Sequence, residues 1–391
     1  MKRFYLGLCL ITSLILGTAC TENLEEGGTI STTNEESPYV VSKDLACQIA
    51  LSLSQRGSSV LRSAAQDFQG KTVAMALSVA DDYSEPVMHV INYEGGGFVI
   101  IAGDNRMDPI LAYSETGSFP SVDEWDLPYG LTLWMHAQED LASFYRENNM
   151  EQDPAAKYAW DKLMGIETVS TKAVDPVEPC EEGDFEMIAD VGPFLETEWD
   201  QESHFNDLLP MMTCNGVTKH YYAGCVPIAI AQIARFYEYP TTYQWSSMSD
   251  TSGQSAETQR LIKDIFYALK GDNVISPDCD GTGVNHSYRK DNFFKNEFGY
   301  KGGSQGDYDY QLARDLLKGE NPVMVCGDGH AWILDGCTQG RSCIGEGRWA
   351  GYLNFHVNWG WGGSYDGWFG FNNMIGQGKE YNPDQYVYVY P

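Results

Sequence analysis

The segment YYAGCVPIAIAQIARFYEYP, Tyr221 to Pro240, constrains the fold more than any other stretch of the chain. A helix begun near Val226 would be apolar on nearly every side, through Ile228, Ile230, Ala231, Ile233 and Ala234, so it must be central and covered all round. Pro227 suits its first turn, where a missing N–H costs nothing, and Pro240 stops it. Cys225 follows Gly224 directly and stands at the start of that helix. There, unsatisfied N–H groups and the positive end of the helix dipole favour the thiolate, the nucleophilic form. Taken alone, the segment fits a packed structural cysteine as well as a reactive one.

A thiol nucleophile needs a base within hydrogen-bond reach and a third group to orient that base. His330, in CGDGHAWILDGC, follows a Gly-rich turn and opens an apolar strand, which leaves one ring edge free to face a partner. Asn358, in FHVNWGWGGSYDGWFGF, offers an amide oxygen that can accept an imidazole proton, and Trp359 beside it can shield that bond from water. His356 is the rival base, since in a strand it shares a face with Asn358. Upstream, FLETEWDQESHFND supplies Gln201, whose side-chain amide can join the Cys225 N–H in binding the oxyanion of a tetrahedral intermediate.

The rest of the sequence gives these segments a setting. Lys2 and Arg3 precede an apolar stretch from Phe4 to Ala19 that is too short for a membrane span, so residues 1–20 read as a secretory signal. LGTAC resembles a bacterial lipoprotein box, which makes Cys20 the expected lipid attachment point and the chain an exported envelope lipoprotein. Residues 21–37 are polar, acidic and free of aromatics, as a flexible tether is. Residues 38–150 read as an α+β domain: a helix from Ser42, the runs MHVINY and GFVIIAGD joined by a turn at Glu94–Gly97, the strand-like ILAYS, then a helix ending near Asn149. Residues 151–185 read as a linker, and residues 186–391 as one apolar helix followed by many short strand-like runs. A formal charge of −30 makes nucleic acid an improbable partner.

WDQESHFN, AGCVPIAIAQI, GHAWILDG and HVNWGWGG, in that order, resemble the streptopain family of papain-like bacterial cysteine proteases. GGFVIIAGDNRMDPILAYSETGSF resembles the propeptide of that family. The resemblance implies an α+β, papain-like catalytic domain behind an inhibitory prodomain. It also implies catalysis by Cys225 and His330 with support from Gln201, Asn358 and Trp359, protein or peptide substrates, and no cofactor. An amide-transfer enzyme on the same scaffold and a non-catalytic binding protein are the competing readings. Family members do not require disulfides, so Cys180, Cys214, Cys279, Cys326, Cys337 and Cys343 are additions, and TQGRS between Cys337 and Cys343 would let that pair close by turning. Cys326 with His330, and DCDGTG at Asp278–Gly283, lack the ligands for a zinc or calcium site, so no metal is expected.

Overall fold

The computed structural model describes residues 37–56, 68–81, 84–119, 127–165, 180–181, 184–285, 287–327, 330–345, 347–370 and 385–391. The signal, the lipid box, nearly all of the tether and the stretch around Lys172 lie outside the described residues. The first half follows its sequence pattern closely. The Ser42 hydroxyl accepts from the Leu45 N–H at 3.2 Å and opens α1 (Lys43–Arg56). Four strands then run antiparallel in chain order: β1 (Val73–Ala80), β2 (Pro86–Tyr93), β3 (Phe98–Ala102) and β4 (Ile110–Ser114). Gly95, Gly96 and Gly97 all have φ between 80° and 97°, so only glycines make the β2–β3 turn without strain.

After α2 (Tyr129–Glu147), the stretch read as linker begins with a further helix, α3 (Pro154–Met164). Asp153 caps it at 2.7 Å from the Ala155 N–H, Pro154 occupies its first position, and Gly165 closes it in the left-handed conformation. Trp160 is buried and donates its indole N–H to the Met107 carbonyl at 2.9 Å, which ties α3 to the first half. The linker reading rested on the polar run VSTKAVDPVEPCEEGD, which begins after α3 and lies almost wholly outside the described residues.

The second half contains β5 (Phe185–Val191), the hairpin β6 (Met211–Cys214) and β7 (Val217–His220), and then α4 (Cys225–Tyr237). Next come α5 (Ala256–Gly271), the hairpin β8 (Ile275–Pro277) and β9 (Thr282–Val284), α6 (Lys290–Glu297), β10 (Gly302–Asp307) and α7 (Tyr310–Lys318). The chain ends on β11 (Val323–Gly327), β12 (His330–Cys343), β13 (Trp349–Asn358), β14 (Gly367–Gly370) and β15 (Gln385–Tyr390). The single helix expected in this half is thus joined by α5, α6 and α7. Residues Cys225–Ala234 of α4 are all buried, as the apolar run demanded.

One antiparallel sheet passes through both halves in the order β1-β2-β3-β4-β14-β13-β12-β11-β15-β10, with β5 pairing the later part of β12. The junction is β4 on β14, where Tyr113 faces Trp368 and Ala112 faces Phe369. Alternation along β12 assigns its side chains to two cores. Ala331 and Ile333 join the cluster around α4 and α5, whereas Trp332 and Leu334 join the cluster shared with the first half.

The disulfides differ from the sequence expectation. Cys343 pairs with Cys180, and Cys214 pairs with Cys279, while Cys337 is a buried free thiol. Cys337 and Cys343 both lie in β12, where TQGRS is extended strand and not a turn. At about 3.3 Å per residue the two are far beyond the reach of a disulfide. Cys47, Cys225 and Cys326 likewise form no disulfide.

Candidate active site

Gly224, at φ 94°, lets the chain enter α4 so that Cys225 is its first residue. A Cβ at Gly224 would come within 2.9 Å of the Thr282 side chain, so β9 closes over this entry, and the Thr282 hydroxyl donates to the Tyr222 carbonyl at 2.6 Å. The Cys214–Cys279 disulfide ties together the two hairpins that converge here. The DCDGTG stretch is part of that closure: the Asp278 carboxylate accepts from the Asp280 and Gly281 N–H groups at 2.9 and 3.1 Å, forming a turn. Among the described residues no group of three or more His, Cys, Asp or Glu is arranged to hold a metal ion.

The Cys225 thiol is buried, and burial pushes its pKa up. The N–H groups of Ala331, Val226 and Cys225 itself, with Lys290 farther off, pull the other way without prevailing. The helix N-terminus therefore acts as expected, but in this closed form desolvation outweighs it. Contact with the Ala331 N–H sets the thiol against the start of β12, one residue from His330.

His330 turns to the other side. Its ring stacks on Trp332 at 6.0 Å with 19° between the planes, and its Nε2 is buried with no hydrogen-bond partner. Burial lowers its pKa to about 4, opposed only by the backbone of Trp359. No hydrogen bond joins it to Cys225, so thiol and imidazole are adjacent in the chain path but not engaged. Trp359 lies 5.7 Å from Trp332, centroid to centroid, and completes the indole wall behind the histidine.

A consequence for stability follows. Unfolded histidine titrates near 6.5 and folded His330 near 4, so the unfolded state binds more protons between those values. The contribution from neutral His330 is complete above pH 6.5 and is lost as pH falls toward 4, a difference of about 3 kcal/mol. In the precursor, His330→Gln should flatten the fall of melting temperature between pH 6.5 and 4. An unchanged slope would refute this.

Asn358 does not meet the imidazole in this form. Its Oδ1 accepts from Gln232 Nε2 at 3.1 Å and from the Gly360 N–H at 3.0 Å, so both lone pairs are used, and its Nδ2 donates to the Thr197 carbonyl at 2.7 Å. Gln201 also acts here through its backbone: its carbonyl accepts from the Ala223 N–H at 2.8 Å, two residues before Cys225. That bond brings the Gln201 segment beside the nucleophile. The rival base His356 belongs to another cluster. Its Nδ1 lies 2.6 Å from Asp335 Oδ1, and its ring meets the edge of Trp368. Burial alone would lower the His356 pKa, but Asp335, Asp366 and Glu115 raise it. Burial also lifts Asp366 to about 7, although the carboxylate accepts from the Trp359 N–H at 2.8 Å.

The first half stands on this same wall. A Cβ at Gly130, near the start of α2, would come within 2.8 Å of the Trp359 ring and 2.9 Å of the Trp332 ring. Around it, Phe119 meets Tyr365 edge to face, Trp134 meets Phe369, and the Trp134 indole N–H donates to the Gly370 carbonyl at 3.3 Å. The sequence did not single out Gly130, Gln232 or Thr197. Only Gln232 left a signal, as a polar side chain in a helix that had to be buried.

Comparisons with known proteins bear on the family and the fold. Residues 38–141 match the profile of the Spi protease inhibitor, and residues 199–260 and 241–369 match the peptidase C10 family. Streptopain of Streptococcus pyogenes is 25% identical over 346 residues, covering 75% of this chain and 76% of its own. The thiol protease/hemagglutinin PrtT of Porphyromonas gingivalis is 25% identical over 351 residues, 77% of this chain and 35% of its own. The structure of prointerpain A of Prevotella intermedia superposes with a TM-score of 0.54 at 19% identity, over 82% of this chain and 99% of that one. This structural likeness bears on the fold.

Proposed function

The chain belongs to the peptidase C10 family, the streptopain family, and we propose that within it Cys225 is the nucleophile and His330 the general base. The protein is a cysteine endopeptidase made as a zymogen. The observation that carries the residue assignment is the placement of the Cys225 thiol against the Ala331 N–H, at the N-terminus of the buried α4 and one residue along the chain from His330.

For catalysis the His330 ring leaves its stack on Trp332 and brings Nε2 to the Cys225 sulfur, taking the thiol proton. The thiolate attacks the scissile carbonyl, and the oxyanion is held by the Cys225 N–H and the Gln201 side-chain amide. His330 then protonates the leaving amine, and water, activated by the same imidazole, releases the acid from the thioester. Exposure of the thiol on opening removes the desolvation that now keeps it protonated. Trp359 supports the histidine from behind, and Asn358, bonded to Gln232 and Thr197, fixes the chain that carries Trp359.

Zymogen activation calls for a cut between the two halves. We place it between about Glu167 and Pro176, beside Lys172, because α3 ends at Met164 on one side and Cys180 is tied to Cys343 on the other. The mature fragment is then roughly 220 residues long. Incubated full-length protein should yield this fragment together with the ability to digest denatured protein, and iodoacetamide should abolish digestion by labelling Cys225. A mature N-terminus inside α2 or α3, or digestion that survives complete Cys225 labelling, would refute the assignment.

The N-terminal residues support export with a lipid on Cys20. Labelled fatty acid should enter the precursor and not a Cys20→Ser variant, and equal labelling of both would remove the anchor from this reading.

A further inference from the structure

A buried polar side chain within the nucleophile helix points to a device that aligns the catalytic groups. Every residue of α4 from Cys225 to Ala234 is buried, and Gln232 is the one among them with a polar side chain able to both donate and accept hydrogen bonds. It is 1% exposed, so each of its amide atoms needs a partner inside the protein. Its Oε1 accepts from the Thr197 hydroxyl at 2.8 Å, and its Nε2 donates to Asn358 Oδ1 at 3.1 Å. Asn358 Nδ2 in turn donates to the Thr197 carbonyl at 2.7 Å. The three residues thus form a closed ring of hydrogen bonds in which each donor has one acceptor. Thr197 and Asn358 are each 4% exposed.

Each member of the ring lies on a segment that carries a different part of the chemistry. Gln232 is two turns beyond Cys225 on the same helix. Thr197 is four residues before Gln201, whose carbonyl holds Ala223. Asn358 ends β13 and directly precedes Trp359, the wall behind His330. The packing is close: a Cβ at Gly360 would sit 3.3 Å from Ile228 and 4.0 Å from Gln232 Nε2. We propose that Gln232 is a positioning residue for peptide hydrolysis, fixing the nucleophile helix, the oxyanion segment and the histidine wall in one frame through its bonds to Thr197 and Asn358. The inference rests on the assignment of Cys225 and His330 given above.

A group that only filled the core would be replaced without kinetic consequence by an apolar side chain of equal length. A positioning group would not, because misplacement by about 1 Å costs up to roughly 100-fold in rate. Gln232→Met should therefore lower kcat on a peptide substrate by roughly 10- to 100-fold with KM little changed. Gln232→Glu separates positioning from packing by pH. A protonated carboxyl has one donor and one acceptor and rebuilds the ring, whereas a carboxylate has no proton for Asn358 and sets two oxygens against each other. Its alkaline limb of kcat should move toward acid by more than one pH unit. Thr197→Val, which removes only the hydroxyl donor, should show a smaller kcat loss of the same kind.

The test is kcat and KM against pH for wild type and the three variants, each activated by limited trypsin digestion and then freed of trypsin activity by an inhibitor. A drop in kcat for the Met and Val variants with an acid-shifted Glu profile supports the proposal. Should the Met variant fail to fold, the Glu and Val variants decide. Wild-type kcat in Gln232→Met, or a Gln232→Glu profile that superposes on wild type, overturns the inference alone. Wild-type protein without peptidase activity would overturn the assignment beneath it, and the inference with it.

Discussion

Cys225→Ala should abolish peptide cleavage, with a loss of at least roughly 10,000-fold, and His330→Ala should come close to the same loss. Thiol and imidazole act as a unit: without the base the thiol stays protonated at neutral pH, and without the thiol there is nothing to acylate. Activity left in either variant would come from substrate binding and the oxyanion site alone. His356→Ala tests the alternative base and should behave differently. It removes the partner of a fully buried Asp335 carboxylate, so stability should fall by roughly 3–5 kcal/mol while kcat in the surviving folded enzyme stays within about tenfold. Measured kcat and melting temperature for the three variants separate these outcomes. Full activity in Cys225→Ala would overturn the nucleophile, and full activity in His330→Ala with none in His356→Ala would transfer the base role to His356.

The parts of the fold that could be read from the sequence are those with a local cause. The α4 run is apolar on all sides, so its burial and the place of Cys225 at its start follow from composition alone. The β2–β3 hairpin is announced by three consecutive glycines between two β-branched runs. α5 also had a local signal that went unread: Ser255 caps it, and Leu261, Ile262, Ile265, Phe266 and Leu269 repeat with helical spacing. Other features have no local cause. Pairing of β4 with β14 joins Tyr113 to Trp368, two segments that nothing in their own residues matches. The disulfide partners depend on where β12 runs, and Cys337 and Cys343 looked close only because strand was read as turn. The bonding of Asn358 was illegible for the same reason: an amide has several equally good partners, and only the fold decides that Gln232 and Gly360 take its oxygen. The side on which His330 sits depends on the first half of the chain, which packs on Trp332 and Trp359.

That packing determines the second large effect, which is the strength of prodomain inhibition. Gly130→Val should weaken it by at least about fivefold. The substitution adds three carbon atoms where even a Cβ would lie 2.8 and 2.9 Å from the Trp359 and Trp332 rings. Gly130 has an ordinary helical conformation, so valine brings no backbone strain of the left-handed kind, and the cost falls on the contact between the halves. Overpacking of this sort costs about 1–3 kcal/mol, which is roughly 5- to 150-fold in a dissociation constant. The His330 ring stacks on the Trp332 indole and its Nε2 has no hydrogen-bond partner, so a prodomain that seats less firmly should also release the histidine more often. Two measurements follow from one cause: full-length Gly130→Val should process itself faster than wild type, and after the linker is cut its activity should recover on dilution at a protein concentration at least about fivefold higher. Recovery at the wild-type concentration would mean that the β4–β14 pairing, and not the seat on the two indoles, carries the inhibition.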